Sequence, residues 1–240
     1  APPQELVAFH LAHGYHLPMT GRMAPGEPLL VELHWDLAPR QLTPLDMNTL
    51  RARAQPFRLG SATAQRFSPE DALLHLALHM RKHRYVGLRW LCDLAELARR
   101  YGDQLDWEYV VASARAGGMA ALLYTSLSAA QRWLDAPVDA HWLAQVRPAA
   151  LHLRLLQAVL PQDPLDVPLE SDREGWTRLA PAEVLLLDRP GAMLREARYR
   201  LLPPAEGAPS SQVVAHKSSG QRLAFNARRL AQRGAALLRR

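Results

Sequence analysis

The sequence contains a single cysteine and no apolar stretch long enough to cross a membrane. A spanning helix needs about 20 consecutive, mostly apolar residues, and we find neither such a run nor the pattern of a signal peptide. One cysteine cannot form a disulfide within the chain, which is typical of a reducing compartment. We therefore expect a cytoplasmic protein in which Cys92, inside an apolar segment, is a small buried core residue.

Lysine is almost absent as well. Only Lys82 and Lys217 occur, so nearly all the positive charge is carried by arginine, which together with abundant alanine, leucine and proline is typical of a GC-rich genome. The formal net charge is +6, but the last twenty residues hold six arginines and no acid. Because the excess charge is concentrated in this tail, the sequence does not indicate nucleic acid as the main partner.

The hydrophobic periodicity predicts a fold of class α+β that is mainly α. Alternation with a period of two predicts short strands near residues 15–19 and 29–35, and a bend at Gly60-Ser61 predicts a loop or brief hairpin over residues 57–67. Helical periodicity predicts short helices over residues 4–11 and 43–54, longer ones over about 69–84, 88–101, 106–116, 118–134 and 139–160, and one or two more before residue 202.

Changes in composition along the chain predict three parts. Residues 1–60 are expected to form an α/β domain, and residues 61–202 an α-helical domain. Residues 203–240 are expected to form a flexible linker, rich in proline, serine and glycine, that ends in a basic helix from Gln221. With 240 residues the chain is long enough for one large or two small domains with a real core.

The segment over residues 68–97 has the strongest helical pattern in the chain. Ser68 is a good helix-capping residue and Pro69 suits the first helical position. The residues that follow are apolar nearly all round, which predicts a helix buried on most sides. Against this background a polar residue recurs every fourth position, forming a stripe along the helix: Asp71, His75, His79 and His83.

Three interpretations of this stripe remain open. It is a polar seam that docks the helical domain onto the α/β part before it, or it binds a substrate or a nucleotide phosphate directly. Arg89 and Arg84 are separate candidates for phosphate binding, because a guanidinium suits oxyanions. The third interpretation is a transition-metal site completed by Asp93 or by Glu32. With Asp71, His75, His79 and Asp93 as its residues, such a site would make the protein a helical metal-dependent phosphohydrolase. His83, beside several cations, is expected to be surface-exposed, and three tryptophans are expected to be packing residues: Trp35, Trp90 and Trp107.

Four short motifs, taken in order, resemble a known family. They are Glu-Leu-His-Trp at residues 32–35, Ser-Pro-Glu-Asp-x3-His-Leu-x2-His at 68–79, Leu-Arg-Trp-Leu-x-Asp-Leu-x2-Leu at 88–97 and Leu-Asp-Trp at 105–107. This order and spacing, over roughly residues 5–140, is similar to that of bacterial nucleotidyltransferase-like proteins of the DNA polymerase β superfold.

The resemblance implies metal-dependent transfer of a nucleoside monophosphate from a nucleoside triphosphate to an acceptor of unknown type. In this family magnesium ions are held by three carboxylates, two of them in an Asp-x-Asp pair after a Gly-Ser turn. Glu32 matches the third carboxylate, so the resemblance makes it the candidate catalytic residue and metal ligand. The residues expected to line or support the cleft are His34, His75, His79, Asp93 and Arg89.

The sequence departs from the family pattern before Glu32, where the Gly-Ser and Asp-x-Asp elements are absent. We therefore expect the chain to be a fragment, or a product without the catalytic half of its domain, and to be inactive in nucleotidyl transfer by itself. The remaining alternative is a non-catalytic interaction module, one partner of a two-component pair. The sequence indicates neither the acceptor, nor the preferred nucleotide, nor the oligomeric state.

Overall fold

The computed structural model describes residues 4–13, 15–22, 26–38, 45–83, 85, 88–160 and 180–201. These residues are mostly helical with two short antiparallel hairpins, which confirms the predicted class of α+β, mainly α. The strands are β1 His16–Arg22, β2 Pro28–His34, β3 Gln55–Leu59 and β4 Ala62–Arg66. The helices are α1 Gln4–His13, α2 Met47–Arg53, α3 Pro69–Lys82, α4 Arg89–Tyr101, α5 Trp107–Gly117, α6 Ala120–Leu134, α7 Ala140–Val146, α8 Ala150–Val159, α9 Ala180–Leu185 and α10 Pro190–Leu201.

The chain divides into two compact units, one of residues 1–42 with 194–240 and the other of residues 43–193. The expected domain boundary near residue 60 lies inside the second unit, because α2 and the β3–β4 hairpin belong to it. The predicted helix from Gln221 lies outside the described residues. Among the helices that the structure describes, none is long and apolar enough to cross a membrane.

In the first unit, β1 and β2 form a two-stranded antiparallel sheet in which His16 pairs with His34. The backbone amide of Trp35 donates to the carbonyl oxygen of Tyr15 at 3.1 Å and closes this end of the hairpin. Within the described residues β2 pairs with β1 alone. Side chains of large apolar residues along β2 are exposed on both faces: Leu29, Leu30, Val31 and Leu33.

The second unit is organised around α3. The Oγ atom of Ser68 accepts the backbone amide of Asp71 at 3.2 Å, which is the N-terminal cap that the sequence predicts. Helix α3 packs against α4, α5 and α6, and each large apolar side chain buried there contributes about 1.5–3 kcal/mol. The buried apolar residues of α3 are Leu73, Leu74, Ala77, Leu78 and Met80.

Helix α4 is amphipathic, and this corrects the expectation for Cys92. The buried face of α4 includes Leu91 and Leu94. Because a residue turns about 100° around the helix axis relative to its neighbour, Cys92 points away from that face and is exposed. The prediction that Cys92 is a core residue is wrong.

The segment predicted as one helix over residues 139–160 forms two helices, α7 and α8. Pro148 lies between them, and a proline disfavours the α conformation in the residue before it. Arg147 accordingly has φ −65° and ψ 127°, which is extended backbone. The prediction of a single helix is wrong, and the break is a local effect of proline.

The β3–β4 hairpin bends where the sequence predicts. Leu59 pairs with Ala62, so Gly60 and Ser61 form a two-residue loop. Gly60 has φ +61°, a left-handed conformation that glycine adopts without a Cβ clash.

Candidate functional site

Glu32 and His34 project from the same face of β2, as the two-residue period of a strand predicts. The Nε2 atom of His34 lies 3.4 Å from Oε2 of Glu32. The Glu32 side chain is 40% exposed, so a ligand from solution can reach its carboxylate. The structure therefore brings these two candidate residues together on an accessible strand.

His16 joins this pair from the neighbouring strand. Its Nε2 atom lies 3.7 Å from Oε1 of Glu32. The rings of His16 and His34 stack with centroids 4.9 Å apart and an angle of 16° between their planes, and Tyr15 packs edge-on against both rings. Each oxygen of Glu32 therefore has an imidazole beside it.

Sequence reasoning missed His16 and Tyr15. Residues directly opposite each other in an antiparallel pair project from the same face, so the pairing of His16 with His34 brings both rings to Glu32. The available signal was a histidine at one end of each of two consecutive predicted strands. It becomes informative only when the register of the hairpin is known.

Glu32 can supply one carboxylate oxygen to a divalent cation. Magnesium prefers oxygen ligands and is commonly held by one or two carboxylates together with substrate phosphates and water. Within the part of the chain that the structure describes, however, no group of three or more His, Cys, Asp or Glu side chains is arranged to hold a metal ion. The described residues thus fit one ligand of a magnesium site and do not complete that site.

His75 and His79 lie on one face of α3, and His83 follows them as the residue that caps the end of the helix. The ring centroids of His75 and His79 are 5.7 Å apart, and those of His79 and His83 are 4.5 Å apart. Trp90 from α4 contacts His79 edge-on at 4.0 Å and stacks on His83 at 4.9 Å. The three histidines and Trp90 therefore form an aromatic junction between α3 and α4.

This junction corrects the expectation for His83, which is half-buried against Trp90 and not simply surface-exposed. Trp90 packs between helices as expected. Trp107 is buried, and its Nε1 donates to the carbonyl oxygen of Gly102 at 3.0 Å, which agrees with a packing role.

Asp71 does not share the surroundings of the histidines, although it continues their spacing. It is fully buried, and its Oδ2 accepts from Nε of Arg53 at 3.2 Å while its Oδ1 accepts from the hydroxyl of Tyr109 at 2.7 Å. Because a cation and a phenol already engage the two oxygens, the ligand set expected for a phosphohydrolase is not assembled. The structure does not support that alternative.

Glu70 completes this ionic network. Its Oε2 accepts from Nη2 of Arg53 at 2.9 Å, and its Oε1 accepts the backbone amide of Asp106 at 3.3 Å. Burial acts to raise the pKa of Glu70, but hydrogen bonds from its own backbone, Ser68 and Asp106, and the charge of Arg53, outweigh burial and lower the pKa. The network joins α2, α3 and the start of α5, so we assign it to stability.

Asp93 and Arg89 are both exposed on α4. The guanidinium carbon of Arg89 lies 4.8 Å from the ring centroid of Trp90, at the α3–α4 junction. Glu32 and His34 belong to the first compact unit, and the other four candidate residues belong to the second: His75, His79, Arg89 and Asp93.

The residues of this geometry lie in a stretch of the chain that matches a protein family. A family model described as an uncharacterised nucleotidyltransferase matches residues 7–135, more than half of the chain. No curated protein and no solved structure matches the chain. The matched stretch contains Glu32, with both imidazoles beside it, as well as the α3–α4 junction. The chain therefore belongs to the uncharacterised nucleotidyltransferase family.

Proposed function

We propose that this chain is part of a cytoplasmic enzyme that transfers a nucleoside monophosphate from a nucleoside triphosphate to an acceptor. In this proposal Glu32 supplies one carboxylate to the magnesium ions that accompany the nucleotide. The observation that carries the proposal is an exposed carboxylate on an apolar strand, with an imidazole beside each oxygen, inside the stretch that the family model matches.

The two histidines suit a positioning role. His34 and His16 approach different oxygens of Glu32, at 3.4 and 3.7 Å, so together they restrict the rotation of the carboxylate. A ligand whose orientation is already restricted loses less conformational freedom when it binds a cation, which is how outer-shell partners tune metal sites. We propose that His16 and His34 orient Glu32 in this way.

Bound magnesium would neutralise charge on the transferring phosphate and lower the pKa of the attacking hydroxyl. Glu32 fits as one oxygen ligand, whereas the Asp-x-Asp pair of the family is absent from residues 1–240. We therefore propose that this chain, taken alone, binds magnesium nucleotide weakly and does not transfer it.

For the second unit we propose a supporting role in nucleotide binding at the α3–α4 junction. Arg89 is exposed, and its planar guanidinium suits bidentate contact with phosphate oxygens. The His75 ring contacts the His79 ring, and His79 contacts Trp90. Asp93 is exposed on α4. These residues would support a nucleotide cleft without themselves reacting.

The test compares nucleotide transfer by the complete gene product that contains these residues with transfer by its variants. Labelled nucleoside triphosphates, magnesium and a cell extract as the source of acceptor are supplied, and transferred label and pyrophosphate are measured. E32Q should lose more activity than the about 10–100-fold typical of an outer-shell partner, and H34A should fall within that range. E27Q, at an exposed residue before β2, is the matched control and should retain wild-type activity.

Full activity of E32Q with unchanged folding would contradict the assignment of Glu32. Absence of transfer by the complete gene product with any of the common nucleotides would contradict the enzymatic proposal itself. In that case the interaction-module alternative would account for the chain, and loss of a complex on altering the helical unit would be the observation to seek.

A further inference from the structure

The β3–β4 hairpin is an exposed arm of the second unit that the proposed function does not use. Seven of its ten strand residues are exposed, and the three half-buried ones share one face: Gln55, Phe57 and Ala64. The strand residues of the opposite face are all exposed. A two-stranded hairpin alone is at best marginally stable in water. The exposed face of the arm therefore offers surface to a partner.

The arm and the helix before it form a continuous stretch without negative charge. No Asp or Glu occurs between Asp46 and Glu70, whereas four arginines do. One of them, Arg53, is paired with Glu70 and Asp71 inside the protein. The other three have exposed side chains: Arg51, Arg58 and Arg66.

The strand register gathers hydrogen-bond donors on one face of the arm. Arg58 pairs with Thr63, and Gln65 is the next residue on that face because side chains alternate. Arginine, threonine and glutamine side chains are among the groups that contact phosphate and sugar oxygens in nucleic-acid complexes. This face lacks the aromatic anchors that dominate binding between proteins, so it favours a phosphate backbone over an acidic protein.

The dimensions of the arm also suit a nucleic-acid duplex. Its five-residue strands span roughly 17 Å. A two-stranded ribbon fits the major groove of a duplex, which is about 12 Å wide.

We propose that the β3–β4 arm binds the phosphate backbone of a nucleic-acid duplex, with Arg58 on the contact face. The exposed Arg66, on the opposite face of the hairpin, and the exposed Arg51, in α2, add positive charge near that contact. The arm is held at its base, because Arg53 lies two residues before the first strand of the hairpin and is paired with Glu70 and Asp71. A fixed base reduces the ordering cost of binding. This surface is separate from Glu32 and does not depend on nucleotidyl transfer.

The test measures binding of the 240-residue chain to a fluorescently labelled DNA duplex of mixed sequence by anisotropy, at about 50 and about 200 mM salt. The arm variant is R58E/R66E. The matched control is R147E/R154E, which makes the same change in net charge at two exposed arginines outside the arm. Circular dichroism and thermal melting of each variant verify folding, and R58Q/R66Q replaces the arm variant if the charge reversal unfolds the protein.

The arm variant should bind at least about tenfold more weakly at low salt, and its slope of log affinity against log salt should be smaller by about two. The control should bind nearly as wild type does. Equal loss in arm variant and control would overturn the proposal, since that result reports net charge alone. Wild-type binding by the arm variant would also overturn it, because the arginine-rich C-terminus present in every variant would then carry the binding.

A competition experiment separates nucleic acid from an acidic protein. Unlabelled duplex should displace the labelled duplex, and polyglutamate at the same concentration of negative charge should displace far less. Equal displacement by polyglutamate would overturn the assignment of a phosphate backbone and would indicate an acidic protein surface as the partner.

Discussion

Arg53 donates from Nε to Oδ2 of Asp71 across 3.2 Å and so joins the end of α2 to the first turn of α3. The side chain of Asp71 is fully buried and that of Arg53 is 32% exposed. Removing one partner of a buried ion pair typically costs about 3–5 kcal/mol, because the other charge is left uncompensated. Since Arg53 is partly exposed, a smaller loss applies here.

We expect R53M to lower the free energy of unfolding by about 2–3 kcal/mol. R53K should lose less stability than R53M, because lysine keeps a positive charge beside Asp71. It should still be less stable than wild type, because lysine lacks the forked guanidinium that also reaches Glu70. Urea denaturation followed by circular dichroism measures both. R51M, at an exposed arginine of the same helix, is the control and should change stability by at most about 0.5 kcal/mol. If R53M lowers the free energy of unfolding as little as R51M does, the pair of Arg53 and Asp71 does not hold α2 and α3 together.

The lowered pKa of Glu70 makes stability depend on pH in the acid range. Its folded-state pKa lies below the ordinary value of 4.5. The stabilisation is therefore fully present above pH 4.5 and is lost as the pH falls through the folded-state pKa. Thermal melting of wild type and E70Q should differ most at neutral pH and converge at low pH. E108Q removes an exposed carboxylate and is the control; a constant gap between wild type and E70Q at every pH would contradict this account.

Tyr85 makes stability depend on pH at the alkaline end. It is buried in a left-handed conformation with φ +61°, and its hydroxyl lies 2.9 Å from Oγ of Ser126. Burial raises the pKa of Tyr85 well above the ordinary value of 10.0, despite the hydrogen bond with Ser126 and the charge of Arg81. Its stabilisation is fully present below pH 10.0 and is lost as the pH rises further.

For Y85F we expect a loss of about 1 kcal/mol at neutral pH, from the hydrogen bond. Above pH 10.0 the variant should lose less stability than wild type does. Chemical denaturation over a series of alkaline buffers measures this difference. Parallel curves for the two proteins would exclude Tyr85 as the group responsible.

Because Cys92 is exposed on α4, its thiol should react with an aromatic disulfide reagent in the native protein. We expect one equivalent to react without denaturant, at a rate close to that of the unfolded chain. C92S should change stability by at most about 0.5 kcal/mol, as exposed substitutions usually do. Slow reaction that accelerates in denaturant would instead place the thiol in the core.

Features decided by neighbouring residues could be predicted from the sequence. The cap at Ser68 and the bend at Gly60 depend on interactions within a few residues, and both are present. The common face of Glu32 and His34 follows from the period of a strand. The exposure of Cys92 and the break at Pro148 also follow from local sequence, because Cys92 lies beside the apolar face of an amphipathic helix and Pro148 disfavours helical backbone before it.

Features that depend on distant partners could not be predicted. His16 reaches Glu32 only through the register of the β1–β2 hairpin. Asp71 has the spacing of the histidine stripe, yet its partners Arg53 and Tyr109 lie 18 and 38 positions away in the sequence. A helical period places residues on one face of a helix, whereas the elements that pack there decide what each side chain contacts.

The exposed apolar side chains of β2 have a consequence for the behaviour of the chain in concentrated solution. A short strand with high β-propensity, little charge and a hydrogen-bonding edge that no other described strand covers can recruit further copies into aggregates. Glu32 is the single acidic residue in that strand, so it also acts as a gatekeeper against aggregation. Removing its charge would therefore reduce solubility as well as alter any chemistry at this position, and E32D is the substitution that keeps the two effects apart.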